Sequence, residues 1–185
     1  MRRVLAGVLL IVFALAPPAI AHTQTTLDPD DSPGPLDLVA QRFRHTKSGV
    51  ILRAVTYEAW DDSVIDADPE NAIWFHLNLD DDAETERCIR YPGESGTVTV
   101  YRRCSVLPIS KVGDGGSATR PDSHSVAIRI PNNLLWKRMP RSVEWQALTA
   151  YEAEGDENCP PPESLPPEHF YGTCTDYSEW AIHRR

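Results

Sequence analysis

Hydrophobic positions recur along most of this chain with a period of two, which is the repeat of a β-strand that buries one face. In Ala72–Leu79 every second residue, beginning at Ile73, is apolar. Ser125–Pro131 and Ser142–Glu152 repeat this alternation, and we predict a strand for each. Val50–Trp60 carries apolar residues on both sides, so we expect that strand to be covered on both faces.

Short turn signals separate the predicted strands. Pro92–Gly96 joins Arg87–Tyr91 to Thr97–Arg103 as a β-hairpin, and the Gly-Gly pair within Gly113–Ser117 predicts a turn with positive φ. Pro131–Trp136 predicts a single helical turn between two strands. The fold class that follows is all-β: an antiparallel β-sandwich, jelly-roll or immunoglobulin-like, with one short helical turn.

The N-terminal segment has the pattern of an export signal. Arg2 and Arg3 precede an apolar run, Val4–Ala16, and small residues at Ala19 and Ala21 favour cleavage before His22. The run is too short to span a hydrocarbon core, which needs about 20 apolar residues. We therefore predict a secreted, extracellular protein with a signal peptide at residues 1–21 and no membrane span in the mature chain.

The length after cleavage predicts one folded domain at residues 37–185, preceded by an acidic, proline-rich leader at residues 22–36. The formal net charge is −9, and removal of the two signal arginines makes it −9 − 2 = −11. Such a balance argues against nucleic acid and anionic membranes as partners. An extracellular protein or a polysaccharide is the partner class left open. Arginine outnumbers lysine, which we interpret as the mark of a GC-rich genome.

All four cysteines follow the predicted signal, and an even count in an oxidising compartment predicts two disulfides. Three connectivities are possible, of which we favour Cys88–Cys104 and Cys159–Cys174. The expected hairpin register places Cys88 opposite Val100, so the first bond requires a bulge, a bend or a neighbouring strand. Zinc is not favoured because no Cys-x-x-Cys is present.

Several short motifs follow one another along the chain. They are Asp28-Pro29-Asp30-Asp31, Gly34-Pro35-Leu36-Asp37, an acidic loop after Leu77, Arg120-Pro121-Asp122, Ile130-Pro131 and a late cysteine-containing loop. In this order the chain resembles an uncharacterised domain found in exported proteins of GC-rich bacteria. The resemblance covers nearly the whole predicted mature chain. It implies a secreted β-sandwich that is a candidate for calcium binding, and it implies no activity.

The acidic loop carries the strongest metal-ligand pattern. Asn78, Asp80 and Asp82 supply oxygen atoms at alternating positions, and Glu86 can complete the six to eight oxygens that calcium prefers. Two features depart from extracellular calcium loops: Ala83 replaces the usual glycine, and Asn78 replaces the first aspartate. The alternative is an acidic, solvated strand end.

A second acidic group lies in the leader. Asp28, Asp30 and Asp37 can form or complete a cation site if the leader folds onto the sandwich. The alternative is a flexible leader in which aspartate residues form turns.

Aromatic residues suggest a different function. Trp74 shares a strand side with His76 rather than with the apolar residues, and an exposed, coplanar aromatic platform is what stacks sugar rings. No catalytic motif is present, so we predict that the protein is not an enzyme. The predicted function is an exported, non-catalytic module stabilised by calcium. A carbohydrate-binding module using Trp74 and His76 and a secreted hydrolase with dispersed catalytic residues are the alternatives.

Overall fold

The structure is a computed structural model. It describes residues 23–30, 32, 34–67, 71–79, 86–93, 97–102, 104, 110–152 and 173–184. The predicted signal peptide, Asp80, Asp82 and Cys159 lie outside the described residues.

The described residues form twelve β-strands and two short helices. The strands are β1 (Thr23–Leu27), β2 (Leu38–His45), β3 (Gly49–Thr56), β4 (Ala72–Asn78), β5 (Arg87–Arg90), β6 (Thr99–Arg102), β7 (Ser110–Asp114), β8 (Ser117–Asp122), β9 (Ser125–Pro131), β10 (Ser142–Glu152), β11 (Thr173–Tyr177) and β12 (Ala181–Arg184). The helices are α1 (Asp62–Ala67) and α2 (Asn132–Leu135). The fold is the predicted all-β, antiparallel sandwich, and α2 is the predicted helical turn.

The first sheet has five antiparallel strands in the order β1-β2-β3-β9-β8. Period-two patterning directs alternate residues of β3 to the core, where Val50 and Leu52 are fully buried. Ile51 and Val55 point to the other face and are only half-buried. The expectation that this strand is covered on both faces is therefore not met by the described residues.

The second sheet has seven strands, in the order β11-β10-β4-β5-β6-β7, with β12 paired to β10. The long strand β10 pairs with β4 along one side, and with β11 and then β12 along the other. The chain returns to the first sheet at Gly115 and Gly116, between β7 and β8, and both glycines have positive φ as predicted. A Cβ on Gly116 would lie 2.3 Å from the Arg129 carbonyl oxygen, so glycine is required at this corner.

The inner faces of the two sheets meet in one core. Phe43 of the first sheet packs on Trp145 of the second with ring centroids 5.7 Å apart, and both side chains are fully buried. Polar groups also join the sheets at this level. Gln41 Nε2 donates to the Glu179 carbonyl oxygen, and Gln41 Oε1 accepts from Ala147 N, each at 2.6 Å.

Two elements differ from the sequence expectations. The predicted leader contributes β1, which pairs with β2 at the edge of the first sheet. Helix α1 is present where no helix was predicted; it follows Asp61, whose Oδ1 accepts a hydrogen bond from Ser63 N at 2.8 Å. Among the described residues, no helix is long and apolar enough to cross a membrane.

Candidate functional site

The ends of the predicted calcium loop are held together at the end of β4. Glu86 N donates to the Leu77 carbonyl oxygen at 3.1 Å, and the Glu86 carboxylate accepts a hydrogen bond from Leu79 N. The Asn78 amide donates to Glu144 at 3.2 Å. Asn78 and Glu86 therefore close the base of the loop. Calcium binding at Asn78, Asp80, Asp82 and Glu86 stays a prediction, since Asp80 and Asp82 lie outside the described residues.

The second acidic group has a clear structural setting. Asp28 and Asp37 are 5% and 4% exposed, and the Asp37 carboxyl lies near that of Asp176 of β11, which is 5% exposed. Asp176 Oδ2 accepts from Leu38 N at 2.6 Å, so this carboxylate links the second sheet to the start of β2. Sequence reasoning missed Asp176, because only the folded chain brings it beside the leader.

The pKa of the Asp37 carboxyl is raised well above its ordinary value. Burial, then the negative charge of Asp176, then a hydrogen bond with Asp30 raise its pKa to about 7. A hydrogen bond between two carboxyl groups requires a proton between them. No three His, Cys, Asp or Glu side chains in the described part of the chain are arranged to hold a metal ion. Cation binding by Asp28, Asp30 and Asp37 stays a prediction.

The predicted Cys88–Cys104 disulfide is present, with Cα atoms 6.0 Å apart. Cys88 lies opposite Tyr101 rather than Val100, so the hairpin register is shifted by one residue from the expected one. Cys104 lies in a turn beyond the end of β6, which supplies the bend that the bond requires. The Cys159–Cys174 bond stays a prediction, since Cys159 lies outside the described residues.

Trp74 and His76 lie on the outer face of the second sheet, as the alternation in β4 predicts. The Trp74 ring is half-buried and tilted by 54° from Tyr101, with centroids 5.9 Å apart. The Arg90 guanidinium lies 5.9 Å from the Trp74 ring centroid. Burial lowers the pKa of His76 to about 4, so its imidazole is neutral at pH 7. The Trp74 and Tyr101 rings are therefore not coplanar, and sugar binding by Trp74 and His76 stays a prediction.

A recess of about 420 Å³ lies beside these rings, between α1 and the β5–β6 hairpin. We call it the Tyr101 recess. Its lining includes Asp66, Arg90, Tyr91, Thr97, Thr99 and Tyr101. It thus combines a cation, a carboxylate and two threonine hydroxyls with the surface of two tyrosines.

The base of the Tyr101 recess is rigid. Tyr91 is 2% exposed, and its hydroxyl donates to Asp62 Oδ1 at 2.6 Å. Its ring meets Trp60 edge-on at 6.0 Å, and the Arg120 guanidinium lies 3.8 Å from the Trp60 ring centroid. Burial and the hydrogen bond to Asp62 hold the pKa of Tyr91 well above its usual range. The hydroxyl is therefore a permanent donor to Asp62 at neutral pH.

A scan against protein-family models, a search of curated proteins and a search of solved structures each found no match to this chain.

Proposed function

We propose that this protein is an exported, non-catalytic β-sandwich module that binds a carbohydrate at the Tyr101 recess. The observation that carries the proposal is the composition of that recess. Sugar rings offer hydroxyls that pair with charged and hydroxyl side chains, and C–H faces that pack on aromatic rings. Asp66, Arg90, Thr97 and Thr99 meet the first requirement, and Tyr101 meets the second.

The placement of the recess supports a preformed site. Arg90 donates to the Asn71 carbonyl oxygen at 3.2 Å and lies on Trp74, so its guanidinium is already oriented. The Cys88–Cys104 disulfide fixes the chain that follows Tyr101. A preorganised site loses less conformational entropy on binding than a flexible one.

Export is supported by two observations. The sequence at residues 1–21 has the pattern of a signal peptide. The Cys88–Cys104 bond is of a kind that persists in oxidising compartments.

Binding to an array of neutral oligosaccharides, followed by calorimetric titration of the best ligand, tests the proposal. We expect Tyr101→Ala to weaken binding about tenfold, the scale of one aromatic contact. Tyr101→Phe keeps the ring and is the matched control, which should retain most of the affinity. Absence of saturable binding to any oligosaccharide, or equal affinities for the two variants, would contradict a sugar-binding recess.

A further inference from the structure

The outer face of the first sheet carries a cluster of four arginines. Arg42 and Arg53 are direct cross-strand partners on β2 and β3. Arg44 of β2 and Arg129 of β9 are both cross-strand partners of Ile51, which lies two residues before Arg53 in β3. Partners in an antiparallel ladder point to the same side, and the alternate residues Phe43, Leu52 and Ile128 fill the core. We call these four residues the arginine face.

Most of this charge is not neutralised by the described residues. Arg53 forms an ion pair with Asp122 at 2.7 Å and contacts Ser125 at 2.8 Å. Arg42, Arg44 and Arg129 are exposed and form no ion pair within the described ranges. Asp122 is the one acidic residue at an outward ladder position of the described first sheet.

Stability does not account for this arrangement. Like charges directly opposite each other on a sheet are destabilising, and Arg42 faces Arg53. The guanidinium group is suited to paired hydrogen bonds with planar or tetrahedral oxyanions. The grouping therefore favours an anionic ligand.

The positive surface continues past the turn that follows Arg44. A recess of about 550 Å³ lies there, lined by His45, Lys47, Asn132, Trp136 and Lys137. It contains two of the three lysines of the chain. The recess lies next to the arginine face. The strand pair Gly49–Pro131 at this end of the ladder is two residues away from the pair Ile51–Arg129.

We propose that the arginine face is the docking surface for an acidic polysaccharide, a linear carbohydrate polymer that bears carboxylate or sulfate groups. The proposal concerns a different face from the Tyr101 recess, and it stands whether or not that recess binds a neutral sugar.

Charge density favours a polysaccharide over the other polyanions. The chain as a whole carries a formal charge of −9, opposite in sign to the arginine face. Duplex DNA carries one charge per about 1.7 Å, and an anionic bilayer is a continuous charged plane. Both would repel the rest of the molecule over a screening length of about 8 Å. An acidic polysaccharide spaces its charges by whole sugar rings.

The geometry of the sheet suits that spacing. Neighbouring strands lie about 4.8 Å apart, and alternate residues of one strand about 6.7 Å apart. Guanidinium groups at these intervals can meet successive anionic groups of an extended polymer without being crowded by several at once.

The test is binding of the full chain to immobilised polygalacturonate and dextran sulfate, with neutral dextran, duplex DNA and phosphatidylglycerol vesicles as comparisons. We expect saturable binding to at least one acidic polysaccharide that weakens as salt is raised. The triple variant Arg42→Gln/Arg44→Gln/Arg129→Gln should lose affinity at least about tenfold, because three charge-assisted contacts are removed. Its melting temperature should not fall, since the substitutions relieve like-charge repulsion.

The matched control is Arg102→Gln/Arg141→Gln/Arg184→Gln, which removes the same charge from three other exposed arginines. We expect its affinity to stay within about twofold of the parent chain. Equal losses in the two triple variants, no binding to either acidic polysaccharide, or tighter binding to DNA or vesicles would overturn the proposal. Neutral oligosaccharide binding at the Tyr101 recess should be the same in both triple variants, which separates failure here from failure of that site.

Discussion

At the scale of single residues, Asp37 shows how the fold changes the chemistry of an ordinary side chain. The carboxyl groups of Asp37 and Asp176 are buried where the start of β2 meets β11, and the negative charge of Asp176 acts on Asp37. Burial of one isolated, ionised carboxylate destabilises the folded state, and burial of several close together destabilises it further. The proton that Asp37 retains in the folded state, with Asp30 as its hydrogen-bond partner, lowers that cost.

We predict that the contribution of Asp37 to the free energy of unfolding falls as pH rises from about 4 to about 7. The folded chain holds a proton on Asp37 up to its pKa of about 7, whereas the unfolded chain releases it near 3.8. At this site the folded state thus binds more protons across the window, and each pH unit costs up to about 1.4 kcal/mol. His76, whose pKa is lowered to about 4, contributes a slope of opposite sign, so Asp37 is measured by comparing the parent chain with a variant at this position. Urea denaturation at a series of pH values in EDTA measures the slope.

In the variant Asp37→Asn the free energy of unfolding should rise more steeply with pH across this window than in the parent chain, because the amide does not titrate while His76 still does. Asp114→Asn is the control: the pKa of Asp114 is lowered, chiefly by its hydrogen bond with Lys111, so its titration lies below this window. A slope in Asp37→Asn equal to that of the parent chain would show that other groups dominate.

At the scale of elements, the β4–β5 connection is where a cation would act. Glu86 accepts a hydrogen bond from Leu79 N and so closes the base of the loop in which the predicted ion would bind. The strands on either side carry the paired residues Trp74 and Arg90, and Arg90 lines the Tyr101 recess. A calcium ion at this loop would thereby stabilise the strands that form the proposed binding site.

We predict that millimolar calcium raises the melting temperature relative to EDTA. A ligand present at 100 times its Kd and bound to the folded state alone adds about 2.7 kcal/mol. Asp80→Asn/Asp82→Asn should abolish the shift, while the control Asp61→Asn should keep it. If Asp28→Asn rather than the double variant removes the shift, the ion binds at the leader group. Identical melting temperatures in calcium and EDTA would exclude a stabilising site.

Alternation along the chain predicted the local elements well. The strands from Ala72, Ser125 and Ser142 and the helical turn before Trp136 follow from apolar periodicity and turn residues, which are local properties. The register in which two strands pair is not a local property. The observed register differs by one residue from the predicted one, so Cys88 lies opposite Tyr101 instead of Val100.

The candidate sites were less predictable for the same reason. Arg42 and Arg44 alternate with core residues in β2, so the sequence predicts that their side chains point outward. That they meet Arg53 and Arg129 depends on strand order. Asp176 joins Asp37 only because β11 and the start of β2 are brought together by the sandwich.

At the scale of the whole molecule, the two sheets are joined by polar contacts as well as by the apolar core. Gln41 is fully buried and contacts the backbone at both Ala147 and Glu179 of the opposite sheet. Asp176 adds a third contact from the second sheet to Leu38 N. The amides of Ala147 and Leu38 are buried and require protein acceptors, whereas Glu179 is exposed and its contact with Gln41 is partly buried. The contacts should couple the unfolding of the two sheets.

We predict that Gln41→Met lowers the free energy of unfolding by about 2 kcal/mol or more. Methionine keeps similar bulk, but it leaves the Glu179 carbonyl oxygen without its donor and removes one acceptor of Ala147 N. Gln24→Met is the matched control: Gln24 is the cross-strand partner of Phe43 on the same side of the sheet and makes no hydrogen bond across the sheets within the described ranges.

Far-UV circular dichroism should follow both sheets, and tryptophan fluorescence should follow Trp145 between them. Coincident transitions in both variants would mean that the sandwich unfolds as one unit. Separate transitions in the parent chain, or equal destabilisation by the two substitutions, would mean that Gln41 does not couple the sheets.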